Sequence, residues 1–474
     1  MAEIDHGTWE SRGRREPKLL KVVIVALTVA VLFASSMVLL SNPSSEIPPA
    51  PVPVRIAYTS HATISINGNA QFNNTNFPMN GVVAGSGTIS NPYIIDGWDI
   101  SASSADGIWI QNTSAYFIVR DCYVHDGGAS YSGIYLNNSA NGTLINNTYS
   151  NNWYGMYLYS SSSNTLSNNT CSDNQYGIYL YLSSSNTLSN NTCSNNWAGI
   201  ALDSSSNNNA LSNNTCSDNA IGIILAYSSN NTLSNNNFSS NQYGVILGYS
   251  SNNSTLVSNN CSSNSDTGIF LYLSGNNNTL SNNNCSSNVL VGIGLGSSSN
   301  NTLSNNTCNS NSGVGIRLWS SNDNKISWNQ VCNNTLEGVH FLSGSNNRIW
   351  NNTFMGNNGA GTVYDPAHTQ ASDDGTNNWW NTSGTPHGYG NYWNDLTTPD
   401  INDDGIVDDP FDYVIGGSAG AKDYYPLTAP SIPPYIPEFS DLVVPIVGLM
   451  LILLIAGRAR KKPGEGFGSE SNPC

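Results

Sequence analysis

The segment from Asp400 to Asp408 carries the most specific metal-ligating pattern in the chain. It reads Asp-Ile-Asn-Asp-Asp-Gly-Ile-Val-Asp and matches the start of a calcium loop, in which oxygen ligands recur at alternate positions before a turn glycine. The twelfth position is Phe411 instead of the bidentate glutamate of an EF-hand. The pattern therefore predicts a Ca²⁺ site with altered closure, and a solvated acidic turn is the alternative. The expected ligands are Asp400, Asn402, Asp404, Asp408 and the main-chain carbonyl of Ile406.

Aromatic side chains recur two or four residues after a repeated glycine, where a strand is expected to face outward. They are Trp109, Tyr135, Tyr157 and Tyr179, with Tyr159 and Tyr181 two residues further along. Rings one repeat apart could stack against sugar rings, which predicts a glycan platform. The alternative is that tyrosine favours exposed strands and stabilises neighbouring repeats. This column contains no paired carboxylates, and glycoside hydrolysis normally needs two, so catalysis is not expected on this face.

A further repeated position is occupied mostly by cysteine. Because phenylalanine and valine sometimes replace it, the position favours an apolar filler. Repeats stacked about 4.8 Å apart hold β-carbons somewhat beyond the separation that a disulfide prefers. We therefore predict free buried thiols, against the alternative of a metal-binding thiol column, which a dry interior would leave without a route for the ion. The members are Cys171, Cys193, Cys216, Phe238, Cys261, Cys285, Cys308 and Val331.

The charge and the histidine content of the chain limit the classes of partner that it is expected to bind. The net charge is −16 at pH 7, and most basic residues lie near the two ends, so the middle of the chain would repel nucleic acid and anionic lipid. Cations and neutral glycans are the expected partners. The six histidines form no His-Met or His-Cys cluster at ligand spacing, so copper is not expected. Abundant Asn-x-Ser/Thr sequons are consistent with surface glycosylation.

These residues are positioned by a repeat whose consensus is Leu-Ser-Asn-Asn-Thr-Cys-Ser-x-Asn-x-x-Gly-Ile-x-Leu. Its first residue recurs every 22 to 24 positions, and weaker copies at Ile95 and Val119 extend the series to about twelve units. Apolar residues two apart between turn-forming residues indicate short strands. A leucine-rich repeat would need a helix-forming half, which is missing. The prediction is an all-β, right-handed parallel β-helix with a hydrophobic helix at each end of the chain. The repeated position holds Leu144, Leu166, Leu188, Leu211, Leu233, Leu256, Leu280, Leu303, Ile326 and Ile349.

Asparagine occupies the third position after each of these residues, where we expect a sharp bend with left-handed backbone angles. Amides stacked in register would donate to one another and form a ladder. This column is Asn147, Asn169, Asn191, Asn214, Asn236, Asn259, Asn283, Asn306, Asn329 and Asn352. A second column is predicted to do the same and runs Asn152, Asn174, Asn196, Asn219, Asn241, Asn264, Asn288, Asn311, Asn334 and Asn357.

Two apolar segments flank the repeats. Residues 22–40 are long enough to span a bilayer and follow a basic region, 1–21, which predicts a signal peptide or signal anchor. Residues 442–457 are predicted to form a transmembrane helix, because the positive-inside rule places the basic tail that follows, 458–474, in the cytoplasm. The expected ectodomain between them contains a Pro/Ser-rich linker (41–54), an N-terminal cap (55–93), repeats (94–357), a C-terminal cap with the Asp-rich loop (358–428) and a Pro-rich linker (429–441).

The chain resembles the NosD-like right-handed β-helix family, also described as the CASH (carbohydrate-binding and sugar hydrolase) domain. The likeness covers about residues 55 to 428 and includes Pro92-Tyr93-Ile94-Ile95-Asp96 before the repeats and Gly390-Asn391-Tyr392-Trp393 after them. It implies the fold, and it raises copper-site maturation of nitrous oxide reductase as one function. Pro437-Glu438-Phe439, with the apolar and basic segments that follow, resembles the PEF-CTERM signal of archaeal surface proteins. That resemblance implies a sortase-like processing enzyme as a partner.

The sequence thus predicts a cell-surface, membrane-anchored β-helix that binds polysaccharide or surface-layer components, or serves as a stalk. The alternatives are a polysaccharide lyase, hydrolase or epimerase of the β-helix type and a copper-site maturation factor.

Overall fold

The computed structural model describes residues 58–72, 80–273, 275–382, 389–396, 400–408 and 412–431. Within them the chain is a parallel β-helix of the right-handed type, in which each coil contributes strands to three faces. Both terminal apolar segments predicted to contact the membrane lie outside the described residues. In the described part there is no α-helix, and no helix is long and apolar enough to cross a bilayer.

The first face carries the repeated leucines. Its strands are Val82–Ala84, Tyr93–Asp96, Phe117–Arg120, Gly142–Ile145, Thr165–Ser167, Thr187–Ser189, Ala210–Ser212, Thr232–Ser234, Thr255–Val257, Thr279–Ser281, Thr302–Ser304, Lys325–Ser327 and Arg348–Trp350. The first pair of this 13-stranded sheet is antiparallel, and the other twelve strands run parallel and delimit eleven turns. The predicted register is confirmed, since Leu144 pairs with Leu166 and Leu166 with Leu188.

The second face carries the cysteines. Its strands are Thr59–Ser60, Trp98–Ser101, Tyr123–His125, Thr148–Ser150, Thr170–Ser172, Thr192–Ser194 and Thr215–Ser217, followed by Gln330–Cys332, Thr353–Met355 and Tyr392–Trp393. Between these two groups the coils are joined by isolated bridges, such as Asn237 to Asn260. The stacked position is inward-facing throughout, and its cysteines are buried and free of disulfides.

The third face has the longest strands, and in most of them the repeated glycine is the second residue. Its strands are Ile64–Asn67, Ile108–Thr113, Ser132–Ser139, Tyr154–Tyr159, Tyr176–Tyr181, Ala198–Asp203, Ile221–Ala226, Tyr243–Gly248, Thr267–Tyr272, Val291–Gly296, Val314–Trp319, Val339–Phe341 and Ala371–Asp373. The C-terminal region adds a 3₁₀ turn at Asn357–Gly359 and a hairpin of Tyr413–Val414 with Lys422–Asp423.

Glycine recurs near the start of the third-face strands because the backbones of adjacent coils meet there. A β-carbon on Gly177 would lie 2.5 Å from the carbonyl oxygen of Gly199 and 3.2 Å from the β-carbon of Cys193. Contacts this short are repulsive. The repeat therefore keeps the one residue that lets each coil close on the next.

The asparagine column of the first corner forms a continuous buried ladder. Asn169 donates from its main-chain N at 3.1 Å and from Nδ2 at 3.0 Å to Oδ1 of Asn191, and its Nδ2 also donates to the carbonyl of Leu144 at 2.9 Å. The same pattern continues to Asn352, which donates to Asn391 at 2.9 Å through Nδ2. Each amide thus satisfies backbone groups that a buried corner would otherwise leave unpaired.

The left-handed residue is not the ladder asparagine, and our assignment of that conformation was wrong by one position. The positive φ belongs to the preceding residue, as at Asn168 (φ 54°) and Asn190 (φ 55°). Those side chains are exposed. The physical reason is that the left-handed residue turns the chain, which lets the next side chain point inward beneath the bend.

Two further ladders run beside the first. The second follows the predicted column to Asn357, and the third, which the sequence analysis did not identify, includes Asn186, Asn209 and Asn231, with Nδ2 to Oδ1 distances of 3.2 Å. In every amide-to-amide bond of these ladders the donor lies one coil before the acceptor.

Each ladder ends on a buried aspartate of the C-terminal region. Asn391 donates to Asp423, and Asn378 to Asp373. Asn357 reaches Asp395 through Gln370. The three carboxylates are at most 1% exposed.

Candidate functional site

The outward-pointing residues of the third face form one continuous file along the rod, here called the outer file. Register pairing places it in the order Ser65, Trp109, Tyr135, Tyr157, Tyr179, Ala201, Ile224, Ile246, Phe270, Gly294, Arg317, His340 and Ser372. A second, flanking file lies two residues further along each strand. The outer file brings together the aromatic residues that the sequence singled out.

Four aromatic rings stack at the N-terminal end of the outer file. Trp109 and Tyr135 have centroids 6.0 Å apart and planes 5° apart. Tyr135 and Tyr157 are separated by 4.8 Å, and Tyr157 and Tyr179 by 5.4 Å. The stack arises because the strand register superposes these positions, and offset stacking of aromatic rings is favourable at such distances.

The flanking file continues the aromatic surface. Tyr159 stacks on Tyr181 with centroids 5.6 Å apart and planes 6° apart, and both side chains are partly exposed. Together with Trp109, Tyr135 and Tyr157, which are also partly exposed, they form one partly exposed aromatic surface.

Tyr179 does not belong to the exposed platform that the sequence predicted. It is 0% exposed, because Tyr154 and Tyr176 cover it with centroids 5.2 and 5.1 Å away. Its hydroxyl donates to Oδ2 of Asp203 at 3.0 Å. Burial, followed by the charge of Asp203, raises the pKa of Tyr179, and burial likewise raises the pKa of Asp203. This pair closes the aromatic surface instead of contacting a ligand.

A polar group occupies the C-terminal end of the outer file. His340 lies between two carboxylates, with Nδ1 3.6 Å from Glu337 Oε2 and Nε2 3.8 Å from Asp374 Oδ2. Arg317 is its register partner on the preceding coil. Two hydrogen bonds from Ser418, and to a lesser degree His340, lower the pKa of Asp374.

Sequence reasoning missed this group. Arg317 and His340 stand in the outer file, but Glu337 precedes the repeated glycine and Asp374 follows the last strand of the face. The periodic column that carries the aromatic residues therefore omits both carboxylates. A rise in charged residues after Arg317 was the available signal.

The acidic loop Asp400–Asp408 folds onto its own backbone. The carboxylate of Asp400 accepts from the main-chain N of Asp404 at 3.1 Å and of Gly405 at 2.7 Å, and Asn402 Oδ1 accepts from Asp404 N at 3.0 Å. Asp408 accepts from the main-chain N of Ile401. The main-chain N of Ile406 bonds to Asp404 Oδ1 at 2.9 Å. These bonds form a tight acidic turn, and calcium binding there stays a prediction.

The fold defines the class of protein, which is a solenoid of stacked β-coils. The family profile described as "Periplasmic copper-binding protein (NosD)" matches residues 119–259 and 242–398, which together exceed half of the chain. The chain belongs to the NosD family. No curated protein sequence matches it.

Several solved structures share features of the fold. The A-module of a mannuronan C-5 epimerase from Azotobacter vinelandii is 15% identical at a TM-score of 0.44 and covers 60% of this chain and 82% of that one. A periplasmic alginate epimerase is 14% identical at a TM-score of 0.41, covering 68% and 84%. The Dettilon tailspike protein is 12% identical at a TM-score of 0.45, covering 61% and 68%. Similarity of this degree carries no argument about function.

The copper that the family description implies does not fit the described residues. Throughout the described ranges, no group of three or more His, Cys, Asp or Glu side chains is placed to hold a metal ion. Burial raises the pKa of Cys171, Cys216 and Cys285 well above the ordinary thiol value, whereas hydrogen bonds with Cys171 and Cys216 lower the pKa of Cys193 between them to about 5. All six cysteines of the column are 0% exposed, and because the thiolate is the metal ligand, the column presents no accessible ligand to a copper ion.

Proposed function

We propose that the chain is a cell-surface protein that binds carbohydrate along its third face and is held to the membrane by its terminal segments. The main observation that supports this proposal is the aromatic surface formed by the outer and flanking files. Tyrosine and tryptophan supply rigid, amphipathic contact area at binding surfaces. The low charge of this surface favours a neutral glycan over a polyanion.

The remaining parts of the proposal rest on sequence features. Basic clusters beside the segments 22–40 and 442–457 support a membrane anchor with an extracellular ectodomain. The segment at Pro437 supports processing by a sortase-like enzyme. Surface-layer components are a second class of partner for a rod of this kind, and Asp400–Asp408 supports Ca²⁺ as a structural cofactor.

Glycan-array binding by the full chain tests the proposal. We expect retention of neutral glycans without product release, and loss of that binding in a Trp109→Ala, Tyr135→Ala variant. Tyr123→Ala is the matched control, because Tyr123 is a partly exposed aromatic residue on the second face. Equal binding by all three proteins would refute the assignment of the site.

A second candidate is a polysaccharide-modifying enzyme, and the His340 group favours it. A histidine between two carboxylates beside an arginine has the components of general acid-base chemistry. Incubation with neutral and acidic polysaccharides would show release of products if this function is correct, and His340→Gln would abolish it. If the protein binds these glycans without releasing products, an enzymatic function on those substrates is excluded.

A further inference from the structure

Eight consecutive coils each carry one exposed asparagine that begins an Asn-x-Thr sequon. Each of these asparagines is the left-handed residue of a corner, with φ between 54° and 59°, and its side chain is exposed. Asparagine in such a sequence is the acceptor for N-linked sugars, so every one of these coils displays a candidate attachment site. The eight are Asn146, Asn168, Asn190, Asn213, Asn230, Asn253, Asn277 and Asn300.

The three residues of each sequon have different and fixed environments. In the sequon that begins at Asn168, the middle residue is the buried ladder residue Asn169, and the third is the exposed Thr170, which starts a second-face strand. The other seven sequons follow the same order, since every middle residue is buried and every third residue starts a strand. The repeat that builds the corner therefore also presents the acceptor and its threonine.

The side chains of these eight asparagines make no hydrogen bond within the described part of the chain. Several other sequons differ in this respect. Asn141 donates through Nδ2 to the carbonyl of Ser114 at 2.9 Å, and Asn260 donates to Oδ1 of Asn237 at 2.9 Å. Asn305 is only partly exposed, and its Oδ1 is buried without a partner. A sugar on one of the eight would break no bond of the fold, whereas a sugar on Asn141 or Asn260 would.

The eight acceptors lie along the two edges of the first face. The first four directly follow a first-face strand, as Asn213 follows Ala210–Ser212, and the last four precede one, as Asn230 precedes Thr232–Ser234. The edge changes where the threonine changes. Ala210 leaves the sequence before it without a hydroxyl, and Asn237 replaces threonine on the other edge of the next coil. Each coil thus keeps a complete sequon on one edge of this face.

The third face of the same coils offers no acceptor. Its strands from Tyr154–Tyr159 to Val291–Gly296 contain no asparagine. They include Tyr157, Tyr159 and Tyr181 of the aromatic surface. Sugar chains that begin at the edges of the first face would therefore be attached outside the proposed binding surface.

We propose that these eight asparagines carry N-linked sugar chains, so that the first face is the glycosylated side of the rod and the third face stays free for its ligand. This inference rests on the proposed export of the chain, because sequons are used in exported proteins. Neighbouring acceptors on one edge are about 4.8 Å apart, so the sugars form a continuous row.

The transfer needs an oligosaccharide that is linked through its anomeric carbon to a lipid phosphate. Nδ2 of the asparagine attacks the anomeric carbon, and the new C–N bond replaces the C–O bond to the phosphate. One amide proton is lost, and the lipid phosphate leaves with the bonding electrons.

Peptide mass spectrometry of the full chain recovered from the cells that produce it provides the test. We expect sugar masses on the peptides that contain the eight asparagines and none on Asn137, which lies within the third-face strand Ser132–Ser139. Thr170→Val should remove the sugar from Asn168, because the sequon requires a hydroxyl residue. Thr170→Ser keeps the hydroxyl at the same exposed position and is the matched control, which should keep the sugar. Equal melting temperatures of the two variants guard against loss of folding as the cause.

The outcomes separate this inference from the proposed function. Unmodified asparagines on a chain that added protease digests on intact cells would overturn the inference alone, because the chain would then lie at the cell surface. Unmodified asparagines on a chain that the protease reaches only after lysis would overturn the proposed location as well. Sugar on Asn137 with the eight asparagines vacant would overturn the one-sided arrangement. Loss of the sugar in both Thr170 variants would show that modification does not follow the sequon and would also overturn the inference.

Discussion

Replacement of one ladder residue, Asn214→Ala, should destabilise the middle of the rod. Oδ1 of Asn214 accepts from Asn191 N at 3.0 Å and Nδ2 at 2.9 Å. Its Nδ2 donates to the carbonyl of Leu188 at 2.9 Å and to Asn236 Oδ1 at 3.0 Å. Alanine removes all four bonds and leaves the Leu188 carbonyl and the Asn191 main-chain N–H buried with fewer partners.

The expected loss is about 3 to 6 kcal/mol in the free energy of unfolding, at about 1 kcal/mol per net hydrogen bond with an added cost for stranded groups. Solenoids unfold in parts, so urea titration should be accompanied by hydrogen exchange of the amides near Asn191 and Asn236. Faster exchange should be centred on these coils.

Asn213→Gly is the matched control. Asn213 is the exposed left-handed neighbour, with φ 54°, a conformation that glycine adopts readily. We expect a change below about 1 kcal/mol. If Asn214→Ala proved no more destabilising than Asn213→Gly, the ladder would not contribute to stability as argued.

Three further predictions concern other parts of the rod. Gly199→Ala should destabilise the protein by about 1 to 3 kcal/mol or prevent folding, because the added β-carbon would lie 2.7 Å from a main-chain oxygen. Gly248→Ala is the control, since its β-carbon would lie 3.6 Å from the nearest atom, and its thermal melt should match that of the parent. Burial raises the pKa of Asp423 from 3.8 to about 7. The protonated carboxyl therefore stabilises the fold fully below the unfolded pKa, and this contribution, about 4 kcal/mol in total, is lost as the pH rises through about 7. Melting temperatures across this range should fall, and Asp423→Asn should flatten the profile. Ca²⁺ should raise the melting temperature of the parent protein, and Asp400→Ala with Asp404→Ala should abolish that rise.

Each of these three predictions would be refuted by a specific result. Equal melting of the two glycine variants would mean that coil closure tolerates a β-carbon. A pH profile unchanged by Asp423→Asn would place the titration elsewhere. A calcium shift that survives in the double variant would disprove the site at the acidic loop.

The repeat register was predictable because every coil imposes the same length on the next. Leu166 pairs with Leu188 as the spacing required. The corner conformation was not predictable to the residue, since Asn168 and Asn169 are the same type and only the surrounding backbone decides which one turns. On the second face the pairing narrows to single bridges from Asn237 to Gln330, and the apolar pattern of the repeat is the same in these coils as in the others.

The functional surface was only partly predictable for a related reason. Strand periodicity identifies residues in one file, such as Tyr135 and Tyr157, but not the side chains that pack over this file from other positions. Tyr154 covers Tyr179 from the position before the repeated glycine, and Asp374 reaches His340 from beyond the last third-face strand. Such contacts depend on how the chain turns at its corners and its end.

The common direction of the ladders makes the rod electrically polar. Every side-chain amide of the three ladders turns its oxygen toward the N-terminal end of the rod and an N–H group toward the C-terminal end, so the dipoles align as in an α-helix but in the opposite sense. The accumulated partial positive charge therefore emerges where Asp423, Asp373 and Asp395 are buried. A deletion that removed these carboxylates would expose a row of outward-directed donors, onto which the first coil of another molecule could add.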